Sequence, residues 1–120
     1  DEVLIDGKNQ GDIGELVLKD REMLGENGIV IISATLDRAT KKILAGPEIV
    51  TRGFIFVKEN QDLIAETKRV SQEIIERNTN EENHRVDYTK IKNEVRESLG
   101  KYFYRETECK PMIITVIQEV

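Results

Sequence analysis

Tryptophan is absent from this chain of 120 residues, and cysteine and histidine occur once each. A single cysteine, Cys109, cannot close an internal disulfide. That suits a reducing compartment and makes the cytoplasm the expected location. The lone histidine, His84, stands 25 positions before Cys109. This is not a zinc-site spacing, and metal centres built from these residue types draw several such ligands. His84 reads as a solvated loop residue and Cys109 as a small half-buried side chain before the last strand. Long apolar runs are missing too: none approaches the roughly 18 residues that a membrane helix needs. The first residues, Asp1-Glu2-Val3-Leu4, include no basic leader, so no secretory signal is expected.

Positive charge is also in short supply. The chain carries 18 lysines and arginines against 23 aspartates and glutamates, a net charge of −5. Residues 1–57 hold ten acids and seven bases, and residues 58–120 hold thirteen and eleven, so neither half is basic. The electrostatic footprint of a free-standing nucleic-acid binder is therefore missing. Motif chemistry is equally sparse. No GxGxxG, P-loop or nucleophile-elbow pattern occurs. Gly11-Asp12-Ile13-Gly14 is a GxxG, but Asp12 would repel a phosphate and no basic residues flank it. Glu66, Glu73, Glu76, Glu94 and Glu97 fall among lysines and arginines on helix surfaces, where a solvated charged face accounts for them.

What is present is a soluble composition, 38% hydrophobic and 34% charged, with clear periodicity. Val3-Leu4-Ile5 is a short extended run closed by Asp6-Gly7. Asp12 and Glu15 outline a capping box for a helix over about residues 13–24. Gly28 to Leu36, rich in β-branched residues, predicts a strand. Asp37 to Lys42 reads as a hairpin loop, and Ile43-Leu44-Ala45 returns as a strand interrupted by Gly46-Pro47. Proline has no ladder N–H, so this segment is an edge or a bulge. Thr51 to Val57 is a further short strand after a kink at Gly53. Leu63, Thr67, Val70 and Ile74, widened by Ile64 and Ile75, form a helical stripe that Asn78-Thr79-Asn80 ends. Tyr88, Ile91, Val95, Leu99 and Phe103 form a second one, starting near Asp87. After Pro111, Met112 to Ile117 is a last strand. The pattern predicts an α+β fold: a small three- to four-stranded sheet with two amphipathic helices on one face, preceded by an N-terminal arm.

Two helices cover only one face of such a sheet, yet aliphatic side chains alternate to both. Ile29, Ile31 and Thr35, with Ile113, Thr115 and Ile117, are the expected uncovered surface, suited to a protein–protein contact. Arg38, Lys41, Lys42 and Arg52, around the hairpin, are the candidates for a weaker alternative, an RNA contact.

Three strings add a family resemblance. Val3 to Gly7 with Gly11 to Gly14 and Val17 to Arg21, then Ala45-Gly46-Pro47-Glu48-Ile49-Val50-Thr51-Arg52-Gly53-Phe54, then Lys110-Pro111-Met112-Ile113-Ile114, resemble in order the C-terminal region of bacterial ribonuclease J. The resemblance implies a linker over residues 1–27 and a C-terminal α+β domain over residues 28–120. It implies a parent that degrades and matures RNA, cutting 5′-to-3′ and internally with zinc held in a metallo-β-lactamase/β-CASP core. No position here matches that core's His-x-His-x-Asp-His motif, so no catalytic or metal residue carries over and the fragment itself needs no cofactor. The expected partners are a second copy, the parent's catalytic domains, and RNA through the parent, with no membrane. The expected function is a non-catalytic domain that promotes assembly and supports the parent's activity; the alternative is an RNA-contacting module guiding substrate to its cleft.

Overall fold

The computed structural model describes the backbone of residues 2–5 and, in full, residues 28–54, 61–80 and 85–120. The expected helix over residues 13–24, the end of the strand expected over residues 51–57, and His84 lie outside them. The described chain is an α+β fold. Strands β1 (Glu2–Ile5), β2 (Ile29–Leu36), β3 (Ile43–Arg52) and β4 (Met112–Glu119) form one sheet in the order β1-β4-β2-β3. Helices α1 (Gln61–Asn78) and α2 (Tyr88–Thr107) lie between β3 and β4 in sequence. β2 pairs antiparallel with β3 through the hairpin and parallel with β4 through the helical crossover. β1 pairs antiparallel with β4 at the far edge, so the short extended run at the start of the N-terminal arm adds a strand to the sheet.

Each helix buries the stripe its sequence sets out. In α1, Leu63, Thr67, Ser71, Ile74 and Ile75 are buried. The hydroxyls of Thr67 and Ser71 donate to the carbonyls of Leu63 and Thr67, at 2.6 and 2.7 Å, so two polar groups sit in the core without an unmet hydrogen bond. In α2, Ile91, Val95, Leu99 and Phe103 recur every four residues and are buried. Asp87 caps that helix, its carboxylate accepting from the Lys90 N–H at 3.0 Å. Glu108 ends it in a left-handed conformation, its N–H donating to Tyr104 O. Arg77 reaches Glu94 and ties the helices together at the surface.

The core lies between the helices and the sheet. Val30, Ile32, Ala34 and Leu36 of β2 pack there with Ile113 and Ile117 of β4. Phe54, buried just past β3, meets Phe103 edge-on at 5.3 Å. β3 runs as one strand through Pro47, with register irregularities opposite Ser33 to Leu36. It was expected to stop near Ala45. A bulged edge strand tolerates a proline because the missing N–H faces no ladder partner. Gly28, at φ +87°, fixes the start of β2: a Cβ there would lie 2.5 Å from the carbonyl carbon of Gly53. Only glycine permits that approach.

Candidate assembly surface

The pairing register decides which side chains leave the sheet together. β2 and β4 are parallel, with Val30 beside Ile113, Ile32 beside Thr115 and Ala34 beside Ile117. Paired residues share a face. Ile113, Thr115 and Ile117 therefore point under the helices, at 6%, 2% and 0% exposure, and are not part of an uncovered surface. This corrects the expectation for these three residues. The same row ends in Glu119, a carboxylate that a core-facing row would ordinarily exclude. The structure buries it instead, to 8% exposure, by supplying partners.

Those partners come from two other elements. Lys41 Nζ lies 3.1 Å from Glu119 Oε2, and the Tyr88 hydroxyl donates to the same oxygen. Burial pushes the Glu119 carboxyl up, but the hydrogen bonds from Tyr88 and Lys41 and the nearby positive charges of Lys41 and Arg38 outweigh it and leave it below the ordinary carboxylate range. The hairpin is itself closely tied. Asp37 Oδ1 accepts from the N–H groups of Ala39 and Thr40, both at 2.8 Å. The Thr40 N–H leads in holding Asp37 below its usual range. Arg38 N–H donates to Val120 O, and Val120 N–H to Leu36 O, so the last residue clasps the hairpin base.

The face away from the helices carries four cross-strand rows. They are Arg52–Ile29–Met112, Val50–Ile31–Ile114, Glu48–Ser33–Val116 and Ala45–Thr35–Gln118. Ile31 and Thr35 are placed on it as expected, both half-buried. Ile29 also lies in it, but at 3% exposure, and Ile114 is at 5%, so one end of the face is sheltered. Val50, at 51%, stands open. Toward the other end a depression of about 230 Å³ is lined by Ser33, Thr35, Ala45, Glu48, Val116 and Gln118. Val50, Glu48 and the even-numbered residues of β4 were missed in the sequence because both rows of β4 are aliphatic and only the partner strand's register separates them.

The four basic candidates do not form one patch. Arg38, Lys41 and Lys42 share the hairpin, but Lys41 is committed to Glu119. Arg52 sits at the opposite end of β3, beside Ile29. A groove of about 910 Å³ between the hairpin and the last turns of α1 brings Lys42 and Leu44 near Gln72 and Glu76. Among the described residues no three His, Cys, Asp or Glu side chains group as they must to hold a metal, and Cys109 is half-buried. No described helix is long and apolar enough to cross a membrane.

Comparison with known proteins converges on one family. The family model described as the ribonuclease J C-terminal domain matches residues 16–120. Ribonuclease J2 of Bacillus subtilis (strain 168) is 42% identical over 118 residues, covering 98% of this chain and 21% of the relative. Ribonuclease J 2 of Staphylococcus aureus (strain NCTC 8325 / PS 47) matches with the same identity and coverage. The chain thus spans about a fifth of the length of these curated relatives.

Proposed function

The chain belongs to the ribonuclease J C-terminal domain family, and on that footing we propose that it works as the non-catalytic assembly domain of a longer ribonuclease J. In this reading a preceding catalytic core holds zinc and cleaves RNA from the 5′ end and internally during decay and maturation. The present chain brings copies of that core together in the cytoplasm and so supports their activity. The observation that carries the reading is the sheet face away from α1 and α2. Val50 is open there, beside the half-buried Ile31, Met112 and Val116 and the buried Ile29 and Ile114, and the charges that the described rows of β2, β3 and β4 place on this face are Glu48 and Arg52. Aliphatic centres with few charges are what interface cores are made of.

Sedimentation equilibrium at several concentrations tests it. The chain is expected to self-associate, and Val50→Asp, which places a charge on that face without entering the helix-side core, is expected to leave it monomeric and folded. A chain that stays monomeric at every concentration removes the reading. The guiding of RNA by the hairpin finds no comparable support, since its basic residues are divided between an internal ion pair and two ends of a strand.

A further inference from the structure

A second surface lies along the free edge of the sheet and does not depend on the assembly reading. β3 ends the strand order, so the outer side of its backbone faces no strand among the described residues. Such an edge offers N–H and C=O groups to a further chain until Pro47, which has no N–H, interrupts it. Opposite Thr35 and Leu36 the register slips, and Leu44 is left without a partner on β2. That irregularity leaves Leu44 57% exposed, more than any other large hydrophobic among the described residues.

The groove of about 910 Å³ beside this edge has Lys42, Ile43 and Leu44 on one wall. On the other stand Gln72 and Glu76 of α1, with Asn80 just past its end. Its charges differ from those of the neighbouring side of α1. There Glu66, Arg69, Glu73 and Arg77 are joined, with Glu94 of α2, into a chain of ion pairs. Lys42 and Glu76, on opposite walls of the groove, have no ion pair among the described residues. The side chains of Gln72 and Asn80 likewise have no hydrogen bond there.

We propose that the groove takes an extended segment of another protein, which adds a strand to β3 along residues 42–46. A central aliphatic side chain of that segment covers Leu44. An acidic residue to one side of it meets Lys42, and a basic residue to the other meets Glu76. Main-chain hydrogen bonds to a strand edge supply affinity, and the side-chain contacts supply choice. A nucleic acid would meet one free lysine against one free glutamate, which offers no net attraction.

Random heptapeptides displayed on phage and panned against the whole chain test this, followed by fluorescence anisotropy with the selected peptide. Selection is expected to enrich an aliphatic residue flanked by an acidic and a basic one. Leu44→Asp, at an exposed position, is expected to weaken binding about tenfold or more while circular dichroism stays native. Glu76→Lys is expected to weaken it about fivefold, and changing the peptide's basic residue to glutamate is expected to restore it. Amide shifts on titration are expected at residues 42–46 and at Gln72, Glu76 and Asn80. No enrichment, shifts that map to the Val50 face, or full affinity after Leu44→Asp overturns the proposal. So does movement of the same amides with protein concentration alone, which would give the groove to a second copy. The first three outcomes leave self-association through the Val50 face as it was, so the two readings fail separately.

Discussion

Lys41 and Glu119, 78 residues apart, meet at 3.1 Å with their side chains 14% and 10% exposed. This contact, completed by Tyr88, joins the hairpin, the first turn of α2 and the last strand at one carboxylate. It lets a charged residue occupy the core-facing row of β4, and so reverses the face that the strand's own sequence suggests. A largely buried carboxylate is tolerated only when its oxygens are met by donors.

Removing that carboxylate strands its donors. Glu119→Ala is expected to lower the unfolding free energy by about 1–3 kcal/mol, the cost of leaving buried polar groups unmet. Tyr88→Phe, which deletes one donor and keeps the ring, should cost less. Urea denaturation of the three proteins checks the ranking, and an Ala variant as stable as the native chain would show the cluster to be unimportant.

Acid should act through the same group. Because the folded-state carboxyl of Glu119 lies below its unfolded value, its stabilisation is present above pH about 4.5 and is lost as pH falls through the folded-state value. Glu94, held down chiefly by the hydrogen bond from Arg77, contributes in the same direction. Thermal melts between pH 7 and pH 3 are expected to show a steeper decline for the native chain than for Glu119→Gln. Parallel curves would contradict the assignment.

Two glycines separate backbone need from tolerance. At Gly28 an added Cβ meets backbone atoms at 2.5–2.6 Å and φ is +87°, so Gly28→Ala is expected to destabilise by about 1–3 kcal/mol. At Gly100, inside α2, the nearest atom to an added Cβ is Ile113 Cδ1 at 4.0 Å. Gly100→Ala should therefore stabilise, by about 0.5–1 kcal/mol, through helix propensity. Opposite signs in one denaturation series are the expected result.

Neighbouring residues of β4 should respond oppositely to charge. Ile117 is fully buried among the helices, and Val116 is half-buried on the other side of the sheet. Ile117→Asp is expected to unfold the chain at room temperature, whereas Val116→Asp should leave circular dichroism native and affect only self-association. Equal tolerance at both positions would return β4 to the reversed orientation.

The two helices were legible in the sequence because each has a period of its own. Ile91, Val95, Leu99 and Phe103 need no knowledge of what they pack against, and Asp87 marks its own cap. The strong β2 strand and its helix-facing row, Val30 to Leu36, were legible for the same reason: one row is wholly apolar and the other has Ser33 and Thr35. The family was legible from strings such as Ala45 to Phe54, which hold Gly46, Pro47 and Gly53 at fixed places around one edge strand.

The orientation of β4 was not legible, and with it half of the open face. Met112, Ile114 and Val116 alternate with Ile113, Thr115 and Ile117, so hydrophobicity is nearly equal on both sides and cannot choose between them. The amino-acid order by itself set β2, the two described helices and their amphipathic stripes, because these depend on residues close together along the chain. Only the tertiary structure chose the outward rows and set Glu48, Val50 and Arg52 in line beside them. That choice depends on pairing β4 with a strand some eighty positions away and on Lys41 and Tyr88 arriving from elsewhere to neutralise Glu119.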